Sequence, residues 1–562
     1  MKLAALDLTI VAVYLSIVVA IGLWFARRAS RGLTDYFNAG RRMPWYLIGT
    51  SMVATTLAAD TPLAITELVR QGGLAGAWYG WAAAMGTVTA AVFFSRLWRR
   101  SGVMTDAELI ELRYAGKPAA ALRATRALYL ALPINCLILG WVIFAMVEIV
   151  EVVMGVPGEY VLPVVLVLAV GYSTASGMWG VVATDAFQML VAVAGLCIMA
   201  AYAVGDAGGI DALTALPAGT TSFIPATDSA LLPFEVFAVY LSMQWWATRN
   251  ADGGEYIGLK LFSARSVADA QLGMVWYAVC EYVLKMWPII IAALASLALY
   301  PTLASDHLAY PTMIAEHLPT GLRGLLIAAL LAAFMSTVDT HLSWGASYLV
   351  NDIYKRFLRP NETERHYVTA SRWSMVLIGV TAALISRVLV SVADTWKLLL
   401  ALGSGQGLVV MLRWYWWRVN AWSEIAAMIA SAAITIGCFL ALPGDHHYAL
   451  RLLIIVGGST AVWVAVTLLT RPEPIEHLRA FHARVKPRGG AWGPVAGPGA
   501  RAGFGRDLGA WLFGIAFVYG ATFGVGMLLL GPRPTGALLI AGAALAAFAM
   551  LRLLRRHEDE PA

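Results

Sequence analysis

The chain is dominated by apolar runs that are each long enough to cross a lipid bilayer. Of its 562 residues, 60% are hydrophobic and 13% are charged, which is far more apolar than a soluble domain. Runs of about 20 residues suit helices that satisfy their own backbone hydrogen bonds in lipid. The sequence predicts an all-α polytopic membrane protein with about 15 transmembrane helices. The runs lie near 6–26, 44–69, 73–95, 126–153, 159–177, 180–204, 230–248, 268–299, 321–350, 369–391, 395–412, 420–441, 449–469, 507–530 and 535–553.

Basic residues flank alternate ends of these runs. Clusters of Lys and Arg follow the first, third and seventh runs, whereas loops 206–229, 300–320 and 442–448 contain none. The positive-inside rule then predicts a multi-pass protein of the cell membrane, of the bacterial inner-membrane type, with the N-terminus outside and the C-terminus cytoplasmic. The net charge of +6 belongs to these loops, so a nucleic-acid partner is not predicted.

Three parts follow from this pattern. Residues 1–470 form the predicted membrane core. Residues 471–506, rich in Arg, Gly and Pro, read as a flexible cytoplasmic linker. Residues 507–562 add two further transmembrane helices and a cytoplasmic tail. A phosphate-binding GxxxxGK[ST] loop is absent from the sequence, which argues against an ATP-driven pump.

Hydroxyls and a carboxylate cluster inside one apolar run. The segment LAAFMSTVDT at 331–340 places Ser336, Thr337, Asp339 and Thr340 where lipid would otherwise surround the helix. Such groups need a partner, a water-filled cavity or an ion at that depth. A hydroxyl can also bond back to a carbonyl one turn earlier. Hard oxygen ligands suit a small hard cation, so the cluster indicates an ion pathway.

A second cluster predicts a broken helix. Residues 51–64, SMVATTLAADTPLA, carry Asp60, Thr61 and Pro62 in the centre of a run. Proline lacks the N–H and disfavours helix at the residue before it. A break at bilayer depth is tolerated where it lines a cavity, and its carbonyls can then bind a cation. A simple proline kink is the alternative.

Several motifs together resemble the sodium:solute symporter family, which includes proline, sugar, pantothenate and sialic acid transporters. They are DYFNAGRRMPWYLIGTSMVATTLAADTP, GVVATDAFQ at 180–188, LLAAFMSTVDT and NDIYKRF. The resemblance implies two inverted five-helix repeats after an extra N-terminal helix, at about 44–204 and 230–412. It implies broken helices at Ala58–Pro62 and near Trp245–Gly254. It also implies a sodium site made by the carbonyls of Ala58, Thr61 and Ala333 and the hydroxyls of Ser336 and Thr337.

The remaining buried ionisable residues are candidates for ion coupling or solute binding. Asp60 matches a carboxylate of proline-type members, and Asp185 resembles a family Asp proposed to help ion passage. Structural roles remain open for both, and for Asp339. Lys285 matches a solute-contacting Lys of sugar-type members, although Glu281, one turn earlier, could simply neutralise it.

The solute class is predicted from what surrounds these groups. Positions that hold sugar in the family are Ile65, Gly80 and Gly254 here, whose side chains cannot hydrogen-bond, and unpaired polar burial is costly. Trp245 and Trp246, with Trp81 and Trp396, could form aromatic walls. This favours an amino acid, carboxylate or betaine-like solute over a hexose. Two family patterns differ here, as Ser176–Gly177 and Leu259–Lys260.

The predicted function is sodium-coupled secondary active uptake of a small organic solute by alternating access. Its partners would be sodium, the solute and the lipid bilayer, with no cofactor, no enzymatic activity and no evident obligatory protein partner. Proton-coupled or sodium-independent transport is the alternative, with Asp60 or Asp185 as the proton carrier. A sensor built on the transporter fold is a remote alternative.

Overall fold

The computed structural model describes residues 3–29, 32–227, 229, 231–389, 395, 399–401, 403–444, 447–497 and 503–555. In these residues the regular structure is helical, with two isolated β-bridges. The helices of the first half are α1 Ala5–Ala29, α2 Leu33–Asn38, α3 Trp45–Thr56, α4 Asp60–Gly72, α5 Trp78–Trp81, α6 Ala83–Thr89, α7 Ser95–Ser101, α8 Glu108–Arg113, α9 Gly116–Tyr129, α10 Asn135–Met154, α11 Gly158–Asp206, α12 Ile210–Thr214 and α13 Phe234–Ala247.

The helices of the second half continue the same architecture. They are α14 Glu255–Phe262, α15 Val267–Val279, α16 Met286–Leu299, α17 Ala309–His317, α18 Leu322–Ser347, α19 Glu364–Ser386, α20 Gly407–Tyr415, α21 Ala421–Ala441, α22 Tyr448–Leu469, α23 Ile475–Val485, α24 Gly493–Ala496, α25 Phe504–Leu530 and α26 Arg533–Arg555. Short π-helical segments join several of them, at Ala90–Phe94, Leu130–Ile134, Cys280–Lys285 and Tyr348–Leu358, and 3₁₀ turns lie at Ala39–Arg41, Gly73–Ala77 and Asp306–Leu308.

The predicted count of about 15 membrane spans is not confirmed. Within the described ranges, ten helical stretches are long and apolar enough to cross a membrane, or eleven if one bent pair is counted as a span. That pair joins α3 to the helices from Asp60 to Ser101 at an angle of 64°. Between the predicted runs at 44–69 and 73–95, α4 ends at Gly72 and Gly73 leaves the helical conformation with φ 63°. The run at 230–248 yields only the 14 residues of α13. The run at 395–412 lies partly outside the described residues.

Two unwound segments interrupt helices of the core. Helix α3 ends at Thr56 and α4 begins at Asp60, so the break lies at 57–59 and overlaps only the first two residues of the predicted Ala58–Pro62. Pro62 falls in the first turn of α4, where its missing N–H removes no intrahelical bond. The second gap, 248–254 between α13 and α14, lies where the sequence predicted it.

Helix α18 runs through the centre of the core. Nearly all of its residues from Leu326 to Ser347 are buried, and it packs against α1, α3, α10, α11 and α19. The extra helix α1 is attached to it through Asp7, whose Oδ1 accepts hydrogen bonds from the backbone N–H groups of Gly321 at 2.7 Å and Gly324 at 2.9 Å. A carboxylate in this position satisfies the free N–H groups at the start of a helix.

The predicted linker at 471–506 is in part folded. It contains α23 and α24, with Leu478, Phe481 and Trp492 buried. The Trp492 indole donates to the Trp414 carbonyl at 2.9 Å. Residues 475–497 therefore pack against the core, because their aromatic and aliphatic side chains bury apolar area. The boundaries predicted for the core and its two repeats stay predictions.

The last two helices form a hairpin on the core. Helices α25 and α26 pack against each other, and α25 also contacts α6 and the Cys280–Lys285 segment. A buried ion pair between Arg96 and Asp507 fixes the start of α25. At the other end, the Trp287 indole donates to the Thr522 carbonyl at 2.9 Å.

Candidate functional site

The hydroxyls of α18 lie against the unwound end of α3. The Thr337 hydroxyl is 2.8 Å from the Thr55 carbonyl oxygen and 3.1 Å from the Ala333 carbonyl oxygen. The hydroxyls of Thr55 and Thr340 are 2.9 Å apart. The last carbonyls of a helix have no intrahelical partner, so the end of α3 offers oxygen ligands to this site. The structure thus brings together two sequence clusters that are 282 residues apart.

The two carbonyls of the break that were predicted as sodium ligands, those of Ala58 and Thr61, have different surroundings. The Ala58 carbonyl accepts from the Thr61 backbone N–H at 3.1 Å, and the Thr61 hydroxyl lies 3.2 Å from the Ala58 nitrogen. Thr61 belongs to the first turn of α4, where its carbonyl points into the helix. Thr55, which the sequence reasoning did not select, makes the direct contact with Thr337. The assignment of Ala58 and Thr61 as ligands stays a prediction.

Asp185 on α11 is a buried junction of three side chains. Its Oδ1 accepts from the Ser336 hydroxyl at 2.6 Å. Its Oδ2 accepts from the Ser51 hydroxyl and from the Lys260 ammonium, the latter at 3.0 Å. Asp185 and Lys260 are both almost completely buried. This carboxylate therefore connects one predicted sodium ligand, Ser336, to a fixed positive charge.

Asp339 lies three residues after Ser336 on α18, on the same face of that helix, and also contacts α11. Its Oδ1 accepts from the Ser173 hydroxyl. Its Oδ2 is buried and has no hydrogen-bond partner among the described residues. A buried carboxylate oxygen of this kind is costly, so Asp339 remains a candidate for ion coupling.

Lys285 lies beside the first break, paired with Glu281. The Lys285 ammonium is 2.5 Å from Glu281 Oε1 and 3.1 Å from the Thr56 carbonyl oxygen. Glu281 Oε2 also accepts from the Thr56 hydroxyl at 2.6 Å. Asp60 is buried nearby in the first turn of α4, and its Oδ1 has no hydrogen-bond partner within the described ranges. The ion pair between Lys285 and Glu281, which the sequence left open as an alternative, is present.

The aromatic walls expected for the solute do not assemble at the break. The Trp245 ring lies 6.0 Å from that of Trp511 in the C-terminal hairpin. The Trp246 indole donates to Ser242 of its own helix. Trp81 packs in a cluster with Trp78, Phe223, Trp287 and Phe523. Trp396 lies outside the described residues.

Unpartnered polar groups are found on the first half of the second broken helix. Both amide atoms of Gln244 are buried without a hydrogen-bond partner in the described part of the chain. Gln244 lies one turn after Tyr240, which donates to the Tyr79 carbonyl at 3.1 Å, so the two share a face toward α5. An amide there can both donate to and accept from a solute.

The arginine-rich end of the core is closed by a buried network of charges. Asp252, in the second unwound segment, accepts from Arg413 at 2.7 Å and from the Trp414 indole at 2.8 Å. Glu424 accepts from Arg126 at 3.1 Å and lies 3.4 Å from Arg413. These pairs join α9, α20, α21 and the second break, and such networks hold only when their members are mutually satisfied.

Three residues of this site were not predicted from the sequence. Ser51 and Thr55 stand in the quoted segment 51–64, but their contacts depend on how α3 packs against α11 and α18. Lys260 was interpreted as a charge of a loop flanking the membrane. Its signal was a basic residue in the last turn of a short apolar helix.

Known proteins match both the sequence and the fold. A sequence model of the sodium:solute symporter family matches residues 36–431. The sodium/glucose cotransporter of Vibrio parahaemolyticus is 26% identical over 461 residues, covering 76% of this chain and 84% of that protein. A sodium/mannose cotransporter of Bos taurus is 28% identical over 545 residues, covering 84% and 88%.

A solved structure shares the fold. The substrate-bound outward-open state of a Na⁺-coupled sialic acid symporter superposes with a TM-score of 0.70 at 18% identity, covering 84% of this chain and 99% of that one. The family consists of membrane-embedded secondary transporters and not enzymes, and sodium is its coupling ion. With its family match extending over most of the core and its helices arranged in the same way, this chain belongs to the sodium:solute symporter family.

Proposed function

We propose that this protein takes up a small organic solute together with sodium, and that the cation binds between α18 and the unwound end of α3. The observation that carries the proposal is the convergence of the Thr337 hydroxyl with the carbonyl oxygens of Thr55 and Ala333. Neutral hard oxygens suit an alkali cation. Ser336 would complete the set, together with the predicted carbonyls of Ala58 and Thr61.

The charges at the helix ends indicate the orientation of the protein in the membrane, and therefore which end would release solute to the cell. The closed end contains Arg113, Arg123, Arg126 and Arg413, and the positive-inside rule would make this end cytoplasmic. The N-terminus would then be outside and the C-terminus inside. Release to the cell would require the Asp252–Arg413 network to open, as alternating access about a fixed midplane site demands.

For the solute, we favour a neutral, hydroxyl-bearing molecule of monosaccharide size. Glu281 already neutralises Lys285 at 2.5 Å, which argues against the carboxylate solute expected from the sequence, since an anion would have to displace it. A diol can instead accept from Lys285 and donate to Glu281. The Gln244 amide supplies further donors and an acceptor. The relatives named as glucose and mannose cotransporters support the same class.

A zwitterionic amino acid is the second candidate. The observation that favours it is Asp60, whose buried Oδ1 lacks a hydrogen-bond partner in the described residues. An ammonium group would satisfy that oxygen and neutralise its charge. The two candidates differ in what competes for uptake: neutral sugars in one case, and amino acids in the other.

The test is uptake by purified protein in proteoliposomes with an imposed sodium gradient. Labelled monosaccharides, amino acids, carboxylates and betaines are compared with and without the gradient, and a proton gradient serves as a further arm. We expect sodium-driven accumulation of a neutral sugar. Accumulation that needs no sodium would refute the coupling proposal, and accumulation of an amino acid alone would replace the favoured solute by the second candidate.

The ion site is tested by replacing Ser336 and Thr337 with alanine. The loss of two oxygen ligands in a low-dielectric site should weaken apparent sodium affinity by about tenfold or more. The matched control replaces Ser374 and Thr381 on α19, whose hydroxyls donate to carbonyls of their own helix at 2.9 and 2.8 Å. Equal sodium dependence in both double variants would refute the assignment.

A further inference from the structure

Lys260 is a buried ammonium next to the proposed sodium ligands. Its side chain is 1% exposed, and that of Asp185 is 0% exposed. Among the described residues, Asp185 is the acid recorded within ion-pair distance of Lys260, at 3.0 Å. The other oxygen of the same carboxylate accepts from Ser336 at 2.6 Å. One carboxylate thus stands between a fixed cation and the site proposed for a mobile one.

Two cations at a single buried carboxylate oppose each other. Sodium beside Ser336 and the ammonium beside Oδ2 would share one negative charge, and like charges repel strongly where the dielectric constant is low. In the described residues, the acid on α18 itself is Asp339, whose recorded contact is with Ser173 on α11. Sodium binding must therefore weaken the Lys260–Asp185 pair, and by reciprocity the pair must weaken sodium binding.

The position of Lys260 connects this competition to the second unwound segment of the core. It lies on α14, directly after the unwound segment 248–254 that carries Asp252 of the cytoplasmic network. A change in the Lys260–Asp185 contact therefore acts on the helix that continues from this segment.

We propose that Lys260 is a tethered cation that competes with sodium for Asp185. It neutralises the carboxylate when sodium is absent, which lets the empty carrier return, and it is released when sodium binds, which loosens α14. This inference rests on the sodium site of the proposed function, and it identifies Lys260 as the group of the protein that competes with sodium at that site.

The first test measures sodium binding to Lys260→Gln by the sodium-dependent change in intrinsic tryptophan fluorescence. We expect the half-saturating sodium concentration to fall by about tenfold, equivalent to about 1.4 kcal/mol. Lys355→Gln is the matched control, because Lys355 forms a solvent-accessible ion pair with Glu364 at 3.3 Å and should leave the value unchanged. An unchanged or raised value in Lys260→Gln overturns the proposal.

A second comparison applies if Lys260→Gln does not fold because Asp185 is left without its ion-pair partner. The single variant Asp185→Asn keeps the Lys260 ammonium beside the sodium site. The double variant, Asp185→Asn with Lys260→Gln, removes both charges while nearly preserving the shapes of the side chains. The proposal expects the double variant to bind sodium about tenfold more tightly than the single variant. Equal binding by the two overturns it, because a merely structural pair would give no such gain.

Transport assays distinguish the return of the empty carrier from sodium binding. With sodium and solute on both sides, Lys260→Gln should exchange labelled solute at a rate within about twofold of the wild type, while net uptake falls by about tenfold. Equal losses of exchange and net uptake would overturn the role in the empty carrier. If the wild-type protein shows no sodium effect, the sodium coupling itself is refuted. If the wild type responds to sodium but the variants show an unchanged sodium affinity, only the role of Lys260 is refuted.

Discussion

Removing the charge of Glu281 should destabilise the protein more than removing the charge of Lys285. The two groups are 2.5 Å apart, with side chains 14% and 1% exposed respectively. At an effective dielectric constant of about 20, their attraction is about 7 kcal/mol, most of which offsets desolvation. Glu281→Gln leaves a buried ammonium with the Thr56 carbonyl, and should cost about 3 kcal/mol. Lys285→Met leaves a carboxylate that retains the Thr56 hydroxyl, and should cost about 2 kcal/mol.

Combining the two changes should cost no more stability than the milder single change and should leave transport lost. The double variant should cost about 2 kcal/mol in total, so the two effects should fail to add by about 3 kcal/mol. Thermal unfolding in detergent, followed by tryptophan fluorescence, should show the single variants a few degrees below the wild type and the double variant no worse than the milder one. If Lys285 and Glu281 contact the solute, uptake remains lost in the double variant although sodium binding survives.

The control is the exposed pair Lys355–Glu364, 3.3 Å apart. The same pair of neutral substitutions there should show a coupling of about 1 kcal/mol or less. Additive costs at Lys285 and Glu281 would refute the reasoning from burial. Recovery of uptake in the Glu281→Gln and Lys285→Met double variant would show that the pair is structural and would remove both residues from the solute site.

Three further changes test other parts of the structure. Asp60→Asn should reduce sodium-driven uptake by about tenfold and Asp60→Glu by less, because only the carboxylate compensates a cation; equal uptake would make Asp60 structural. Asp507→Ala leaves the buried Arg96 without its carboxylate and should lower stability by about 3–5 kcal/mol, read as a lower unfolding temperature; an unchanged temperature would contradict the burial of this pair. Asp252→Asn removes the charge that holds Arg413 and should accelerate hydrogen exchange of the second unwound segment, whereas unchanged exchange would show that the network does not hold this end closed.

The sequence predicted those features of the site that depend on local chemistry. Hydroxyls within an apolar run identified Ser336 and Thr337 as residues that require a polar partner, and the structure supplies Thr55 and Asp185. Pro62 indicated a break of the correct kind but not its position, because a proline is equally compatible with the first turn of the following helix. The break therefore lies at 57–59, and the carbonyl that reaches Thr337 comes from the helix before it.

The features that depend on tertiary packing could not be predicted in the same way. Lys260 and Asp185 are 75 residues apart, and their pairing requires α14 to pack beside α11. Lysine in a segment next to the membrane is usually found in solvent or at the interface, so its pattern indicated topology. The tryptophans were expected to line the solute site because they are large and amphipathic, yet Trp81 and Trp245 pack toward the C-terminal hairpin.

That hairpin constrains how the segment that carries Glu281 and Lys285 can move. The Cys280–Lys285 segment carries Glu281 and Lys285 in a π-helical turn, which is a wider turn than that of an α-helix and is frequent at functional sites. Helix α25 packs against this segment, and its Thr522 carbonyl accepts a hydrogen bond from Trp287, two residues after the segment. Its other end is fixed to α7 by the buried Arg96–Asp507 pair. Packed interfaces do not deform continuously, so any step that displaces Lys285 must either carry α25 with it or break the contact at Trp287.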